Sequence, residues 1–365
     1  MSFGIESIQR KTVVLQITEN CNLNCVYCYQ HSKKRSVIDE SRLKQIILDS
    51  FAEKDTFAEL EFDFIGGEPL LCMPLIRRIC EWTWAEEREK RYIFFATTNG
   101  TTLTREDKVW FTENKDRFWL GLSLDGTREM HDANRCNSYD RIDREFFLRN
   151  WPEQVVKMTV SPQTLKDFAK GVIELHEYGF RLGANLAYGV DWSDANNVDI
   201  LSEELRKLAD YYLAHEEIEP IMLMNMGLFR LTSPEPERYC GAGIGMVAYD
   251  IRGHRLPCQM FYDTTGESVK GWETIDFSEL YKKYYENCRL KPLFNICPIC
   301  LGMSYSFSGA RFECDPDLCR LMQVFFKANA YLQSQLILRG RVRSSQEVQA
   351  ADIVKGIRII DETLS

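Results

Sequence analysis

The sequence predicts an α/β chain built on parallel strands, followed by a smaller cysteine-rich module. Three observations carry this. Between residues 12 and 215, apolar runs with strand periodicity alternate six times with amphipathic helical stretches. Such alternation is the pattern of a parallel sheet covered by helices. From about residue 220 it gives way to Gly, Pro, Cys and short apolar runs. The chain has 365 residues, 45% of them hydrophobic and 27% charged, a globular composition long enough for one large domain or two. Periodicity leaves two forms open, a doubly wound sheet and a partial barrel.

The elements follow in order. Thr12 to Thr18 (TVVLQIT) reads as a buried strand. A helix follows Asp39, an N-cap residue, with Leu43, Ile46, Ile47 and Phe51 on one face. Leu60, Phe62 and Phe64 alternate in a second strand, and Pro74 opens a helix marked by Leu75, Ile79 and Trp82. Tyr92 to Thr98 is the third strand. Thr104 with Asp107 then forms a capping-box start to a helix carrying Val109 and Trp110. Residues 118–124, 155–160 and 182–188 are the fourth to sixth strands, and amphipathic helices near 164–178 and 200–215 follow the last two. The expected division is a strand–helix domain over 1–218, a linker over 219–235, a cysteine-rich domain over 236–325 and a helical segment over 326–365.

Lys and Arg number 45 against 54 Asp and Glu, a formal charge of −9. No nucleic-acid partner is expected, because neutralising phosphates takes a basic surface. No apolar run is long enough to span a membrane. The N-terminus (MSFGIESIQR) carries a carboxylate and no apolar signal core, so the cytoplasm is the expected compartment. Five histidines disfavour a His-built metal site or a His-driven hydrolase, and neither G-x-S-x-G nor a P-loop is present. Thirteen cysteines in a reducing compartment point to metal or redox chemistry.

The first strand runs directly into CNLNCVYC, where Cys21, Cys25 and Cys28 are spaced C-x3-C-x2-C. A loop leaving a strand's carboxyl end is where α/β folds place their chemistry. Three thiolates make a tripod, and a 4Fe–4S cube held by three cysteines keeps one iron open to a small molecule. A zinc site with His31 as fourth ligand is the competing reading. Cys72, Cys80 and Cys136 are scattered and read as structural.

With Tyr27 ahead of the third cysteine, this loop resembles the signature of the radical S-adenosylmethionine (SAM) superfamily. Gly66-Gly67-Glu68-Pro69, after the second strand, is similar to the family's GGEP motif for the methionine amino group. Thr98-Asn99-Gly100 ends the third strand and Ser123-Leu124-Asp125-Gly126 the fourth. His131-Asp132-Ala133-Asn134-Arg135 is similar to the HDxxR segment whose Arg meets the SAM carboxylate. The resemblance covers the first domain. It implies a partial (β/α)6 TIM-type barrel, a 4Fe–4S cluster on Cys21, Cys25 and Cys28, and SAM held among Tyr27, Gly66, Gly67, Glu68, Pro69, Asn99, Ser123, Asp125 and Arg135. The residue chemistry agrees. Glycines let backbone approach closely. Glu68 suits an ammonium, Arg135 forms a forked pair with a carboxylate, and Ser123 can donate to ribose hydroxyls.

Cys240, Gly253 and Cys258 are spaced C-x12-G-x4-C, which resembles the opening of the SPASM module, the auxiliary iron–sulfur extension of peptide-modifying members. Cys297-x2-Cys300 fits the module's later pattern, but Ser306 and Ala310 stand at the next expected positions, with Cys288 earlier and Cys314 and Cys319 later. Cys297-x2-Cys300-x13-Cys314 also resembles the three-ligand auxiliary site of the molybdopterin-precursor cyclases. One or two auxiliary 4Fe–4S clusters on these seven cysteines are expected, with a zinc knuckle as the alternative.

The resemblance implies an oxidoreductase that reductively cleaves SAM to a 5′-deoxyadenosyl radical and oxidatively modifies a peptide, ring or cross-link formation coming first. A dehydrogenase or cyclase acting on a small molecule is second. A non-catalytic iron–sulfur sensor is the reading of another class, and it leaves the SAM-contact residues unexplained. Expected partners are a precursor peptide and an electron donor such as flavodoxin or ferredoxin. A separate leader-binding protein joins them, since a first strand near residue 12 leaves no room for a fused leader-binding domain. Sulfatase-maturating members look to use an Asp after the G-x4-C cysteine as base. Gln259 stands there, a neutral amide that accepts no proton, which favours ring formation over formylglycine formation. Tyr188 and Gln259 are the candidate catalytic residues by position.

Overall fold

The computed structural model describes residues 10–30, 33–236, 240–261, 276–298, 300–308, 313–341 and 350–365. In chain order come β1 (Arg10–Thr18), α1 (Glu40–Ala52), β2 (Glu59–Gly66), α2 (Met73–Trp84), β3 (Arg91–Thr98), α3 (Arg105–Glu113) and β4 (Phe118–Leu122). They are followed by α4 (Arg128–Asn134), α5 (Arg144–Asn150), β5 (Val156–Val160), α6 (Phe168–Glu177), β6 (Leu182–Leu186) and α7 (Asn196–Ala214). The remainder is β7 (Met246–Tyr249), β8 (Arg255–Leu256), α8 (Phe277–Asn287), α9 (Leu301–Ser308), α10 (Pro316–Leu338) and α11 (Ala350–Leu364). Among the described residues no helix is long and apolar enough to cross a membrane.

The chain forms two compact units. The first comprises Met1–Leu124, Arg135–Val156 and Gly241–Ile275. Its sheet has the order β4-β3-β2-β1-β7-β8. β1 to β4 are joined by parallel pairings, β7 runs parallel to the other side of β1, and β8 returns antiparallel to β7. Register brings Phe62 beside Phe94, and Phe94 beside Phe118. These rings therefore share one face. Phe64 stacks on Phe94 at 5.4 Å and Trp84 of α2 meets Phe94 edge-on at 6.0 Å, so aromatic burial holds helix to sheet. Parallel strands put Thr18, Gly66, Thr98 and Leu122 at one edge of the sheet, where the loops of interest begin.

Helix starts follow local chemistry. Asp39 accepts from the Arg42 amide at 3.0 Å, Thr104 and Asp107 form a reciprocal capping box, and Pro74 sits in the first turn of α2. Asp143 caps α5, and Trp151 after it donates to the carbonyls of Lys115 and Phe118.

The second unit comprises Asp125–Asn134, Lys157–Cys240 and Asp276–Ser365. β5 and β6 form its two-stranded sheet. The buried Glu204 of α7 accepts from the Ala169 amide of α6 at 2.7 Å, and Phe168 meets Phe325 of α10 edge-on at 6.3 Å.

All six expected strands are present. Four lie in the first unit's sheet, and the fifth and sixth pair with each other in the second unit. The β7–β8 hairpin was not expected. It places β7 against β1 and β8 beyond β7, whereas the sequence division assigns residues 246–256 to the cysteine-rich domain. Its turn explains the glycine of the C-x12-G-x4-C spacing. Gly253 has φ +81°, and the Asp250 carboxylate collects the amides of Arg252 and His254 at 2.8 Å each.

Candidate functional site

The cysteine loop leaves β1 and is closed at its root by a bridge between Thr18 and Val37. The Thr18 hydroxyl donates to the Ser36 carbonyl at 2.8 Å, and the Ile38 amide to the Ile17 carbonyl at 3.0 Å. Within the loop the Cys28 amide donates to the Cys25 carbonyl at 3.1 Å. Cys21, Cys25 and Cys28 are all half-buried. The Leu23 amide donates to the Cys21 sulfur at 3.4 Å. Burial pushes the Cys21 thiol up, against the pull of that amide and of the Lys33 ammonium. Lys33 in turn donates to Leu23 O and to Asn24 Oδ1, clipping the loop from its far side.

The two glycines after β2 press against this loop. The Gly67 amide donates to Thr18 O at 3.2 Å and the Glu68 amide to Asn20 O at 2.8 Å. A Cβ on Gly66 would collide with the Thr18 carbonyl. One on Gly67 would collide with the Asn20 carbonyl and lie 2.7 Å from the Cys21 Cβ. The glycines therefore seat the β2 end on the root of the cysteine loop, a requirement the sequence reading had assigned to the approach of a cofactor.

Glu68 is 1% exposed. Its carboxylate accepts from the Thr98 hydroxyl at 2.8 Å, the Asn99 amide at 2.8 Å and the Leu70 amide at 3.1 Å, and Pro69 opens the short turn that supplies Leu70. Burial pushes its carboxyl up, while those donors and then Arg135 hold it down. Arg135 is 8% exposed and its guanidinium lies 5.4 Å from the centre of the Tyr27 ring. Asn99 spans to the loop, with Nδ2 donating to Asn22 Oδ1 at 2.9 Å. Ser123 stands half-buried beyond β4, its amide on Thr98 O at 2.9 Å. The first unit thus brings Tyr27, Gly66, Gly67, Glu68, Pro69, Asn99, Ser123 and Arg135 to the sheet edge that carries the three cysteines.

Asp125 belongs to the second unit and has a holding role there. Its carboxylate accepts from Asn134 Nδ2 at 3.1 Å and from the Thr159 amide at 3.0 Å, tying α4 to β5. Cys136 is expected to be structural. It accepts from the Asn24 amide at 3.3 Å, in the middle of the cysteine loop, and Cys136 and Asn137 both hold positive φ, 58° and 52°. Its place after Arg135 was the signal available in the sequence.

The later cysteines separate. Cys258 is buried in the first unit near Tyr29, whose hydroxyl also senses Cys28 and Asp63. Beside it, Gln259 Oε1 is buried with no hydrogen-bond partner among the described residues. In the second unit Cys314 and Cys319 share a hydrogen bond that lowers the Cys319 thiol and raises that of Cys314. Cys297 and Cys288 are electrostatic neighbours of Cys314, and Tyr284 senses Cys297, Cys314 and Cys288. Cys300 instead faces Cys240, and burial pushes it up to about 11. Tyr188 donates to Pro298 O at 3.4 Å, next to Cys297, a bracing role. Among the described residues no three Cys, His, Asp or Glu side chains close to coordination geometry. His31 and Ala310 lie outside the described residues.

The donor set of the first loop fits a thiolate-held cluster: three half-buried cysteines in one loop, with a backbone amide aimed at one sulfur. The Gln30 amide, two residues past Cys28, is enclosed with neither end hydrogen-bonded among the described residues, as in a loop built around a polar guest.

Comparisons with known proteins place this geometry. The family model described as the radical SAM superfamily matches residues 15–202. The chain is similar to the cysteine-type anaerobic sulfatase-maturating enzyme of Clostridium novyi, 32% identical over 34% of this chain and 36% of that protein. The match spans less than half the length of such relatives. Similarity to the Fe-coproporphyrin III synthase of Methanosarcina barkeri is 26% over 67% of this chain and 68% of that one. The solved structure of native anSMEcpe with bound AdoMet and Cp18Cys peptide shares the fold, with a TM-score of 0.70 at 19% identity over 92% of this chain and 100% of that chain.

Proposed function

The chain belongs to the radical SAM superfamily, and from that premise we propose that it oxidatively modifies a peptide, closing a ring or cross-link. Membership implies a 4Fe–4S cluster and SAM. When bound, they supply an electron and, on SAM cleavage, a 5′-deoxyadenosyl radical, chemistry that side chains do not provide. The rest falls to this chain's residues. Cys21, Cys25 and Cys28 hold the cluster. Glu68 receives the methionine ammonium, Arg135 the carboxylate, Tyr27 the adenine and Ser123 the ribose. Gly66, Gly67 and Asn99 fix the loop that presents them, and Asp125 positions α4 from the second unit.

The observation that supports this reading is the buried Glu68 beside the three-cysteine loop, a carboxylate that accepts from three donors. Glu68→Ala and Arg135→Ala each remove one charged contact, worth about 1.5–3 kcal/mol. SAM affinity, measured by calorimetry on the iron-loaded protein, should fall roughly ten- to hundredfold in each. Unchanged affinity in both variants contradicts the assignment.

Peptide oxidation is supported by the likeness to sulfatase-maturating enzymes and by the peptide named in the matched structure. Ring closure over formylglycine formation is favoured by Gln259, a neutral amide that takes up no proton where a carboxylate could. A small-molecule substrate is the second reading, favoured by the broader match to the coproporphyrin synthase. An electron carrier such as flavodoxin or ferredoxin is the proposed partner, and the cytoplasm the proposed compartment.

For the auxiliary clusters we propose that Cys288, Cys297, Cys314 and Cys319 act as one four-thiolate set, since they sense one another, and that Cys240 and Cys300 stand apart from it. Iron analysis should give about 12 Fe per chain for three cubes, or about 8 for two. Replacing all four cysteines of the set by Ala should remove about 4 Fe. Stoichiometric zinc with about 4 Fe would replace the auxiliary clusters by a zinc knuckle.

A further inference from the structure

We propose that the groove between α7 and α10 in the second unit docks an acidic amphipathic helix, carried by the peptide substrate outside the residues that react; this rests on the peptide reading above. The groove encloses about 670 Å³. Its walls run from Val198 to Asp210 on α7 and from Arg320 to Tyr331 on α10. At 1.5 Å per residue each wall is about 16–18 Å long, some three helical turns. The floor is apolar, made by Leu205, Ala209, Val324 and Ala328. The rim is cationic: it carries Arg206, Arg320 and Lys327, with Asp210 as the one carboxylate of the lining and Asp317 beside Arg320.

Two rim cations have weak or local partners. Arg206 is 4.0 Å from Asp210, both largely exposed, and Arg320 pairs with Asp317 three residues back on its own helix. Exposed pairs of this kind hold their charges loosely. A chain of net charge −9 that gathers three cations along one apolar trough repels acidic ligands over most of its surface and attracts them here. An apolar floor between two helices is the seat for the apolar stripe of a third, with i, i+3, i+4 and i+7 anchors. The exposed Tyr331 closes one end with an aromatic anchor of the kind enriched at interfaces.

The test is fluorescence anisotropy on the holoenzyme at low salt. The probe is a labelled synthetic helix bearing Leu at i, i+3, i+4 and i+7 with Glu on its flanks, against a scramble of the same composition. The helix should bind about tenfold or more tightly than the scramble and release as salt rises. Charge reversal by Arg206→Glu, Arg320→Glu and Lys327→Glu together should cost about tenfold or more in affinity, with circular dichroism and iron content unchanged. Ala328→Trp should weaken binding by filling the floor without altering charge. Equal binding of the scramble, or unchanged affinity in the charge-reversed protein, overturns the proposal. So does loss of flavodoxin binding in that variant while helix binding persists, which assigns the surface to an electron carrier. Binding is read without turnover, so its loss and a missing mass change on a peptide substrate are separate failures.

Discussion

Replacing Cys21, Cys25 and Cys28 together by Ala should reduce 5′-deoxyadenosine formation to background, a loss on the order of a thousandfold or more. The three cysteines lie in one loop rooted on β1, whereas Cys136 accepts from the Asn24 amide and Cys80 is buried on α2. The second unit's cysteines are untouched in this variant, so under the proposed auxiliary clusters it should keep about 4 Fe or more. Deoxyadenosine release and iron content measured on the same sample separate the two contributions. Undiminished SAM cleavage in the triple variant removes the loop from the mechanism.

Gly67→Ala should be nearly as damaging without touching a ligand. The added methyl meets the Asn20 carbonyl and the Cys21 Cβ, and neither can withdraw easily, because the Glu68 amide is bonded to the same carbonyl. Forcing a methyl into a packed site costs about 1–3 kcal/mol, or the backbone shifts. Either outcome displaces Cys21, so the variant should lose about 4 Fe per chain together with SAM cleavage. Gly340→Ala is the comparison. It has φ +67° and open space around it, so only backbone strain of about 1 kcal/mol is expected, with iron unchanged. Full iron and activity in Gly67→Ala would mean that the glycine pair does not seat the loop.

Much of the frame was legible in the sequence because its signals are local. The Phe62–Phe64 alternation, the Asp39 cap and the Thr104–Asp107 box depend on neighbours within four residues, and each appears where expected. The β7–β8 hairpin was not legible. Strands of four and two residues carry too little periodicity, and β7 takes its place by pairing with β1, more than 200 positions away, while β8 pairs with β7. The same holds at the site. Motif spacing singled out Gly66, Gly67, Glu68 and Arg135, but the contact between the glycines and the Asn20 and Cys21 backbone is set by register across β1 and β2, which a sequence does not display. Asp125 shows a second role that its place in the motif does not display: its buried carboxylate accepts from Asn134 and Thr159 and so ties α4 to β5. The grouping proposed for Cys288, Cys297, Cys314 and Cys319 joins residues from the end of α8 to the first turn of α10, which spacing alone does not fix.

The central claim, radical oxidation of a peptide, is tested most directly by anaerobic incubation of the iron-loaded chain with SAM, dithionite and a peptide encoded beside its gene. The account predicts 5′-deoxyadenosine and methionine in equal amounts, and a peptide lighter by two hydrogens whose affected residues stay joined on fragmentation. Fully iron-loaded protein that releases no deoxyadenosine contradicts SAM cleavage, and a free aldehyde trapped by hydrazide, with no joined residues, contradicts ring closure.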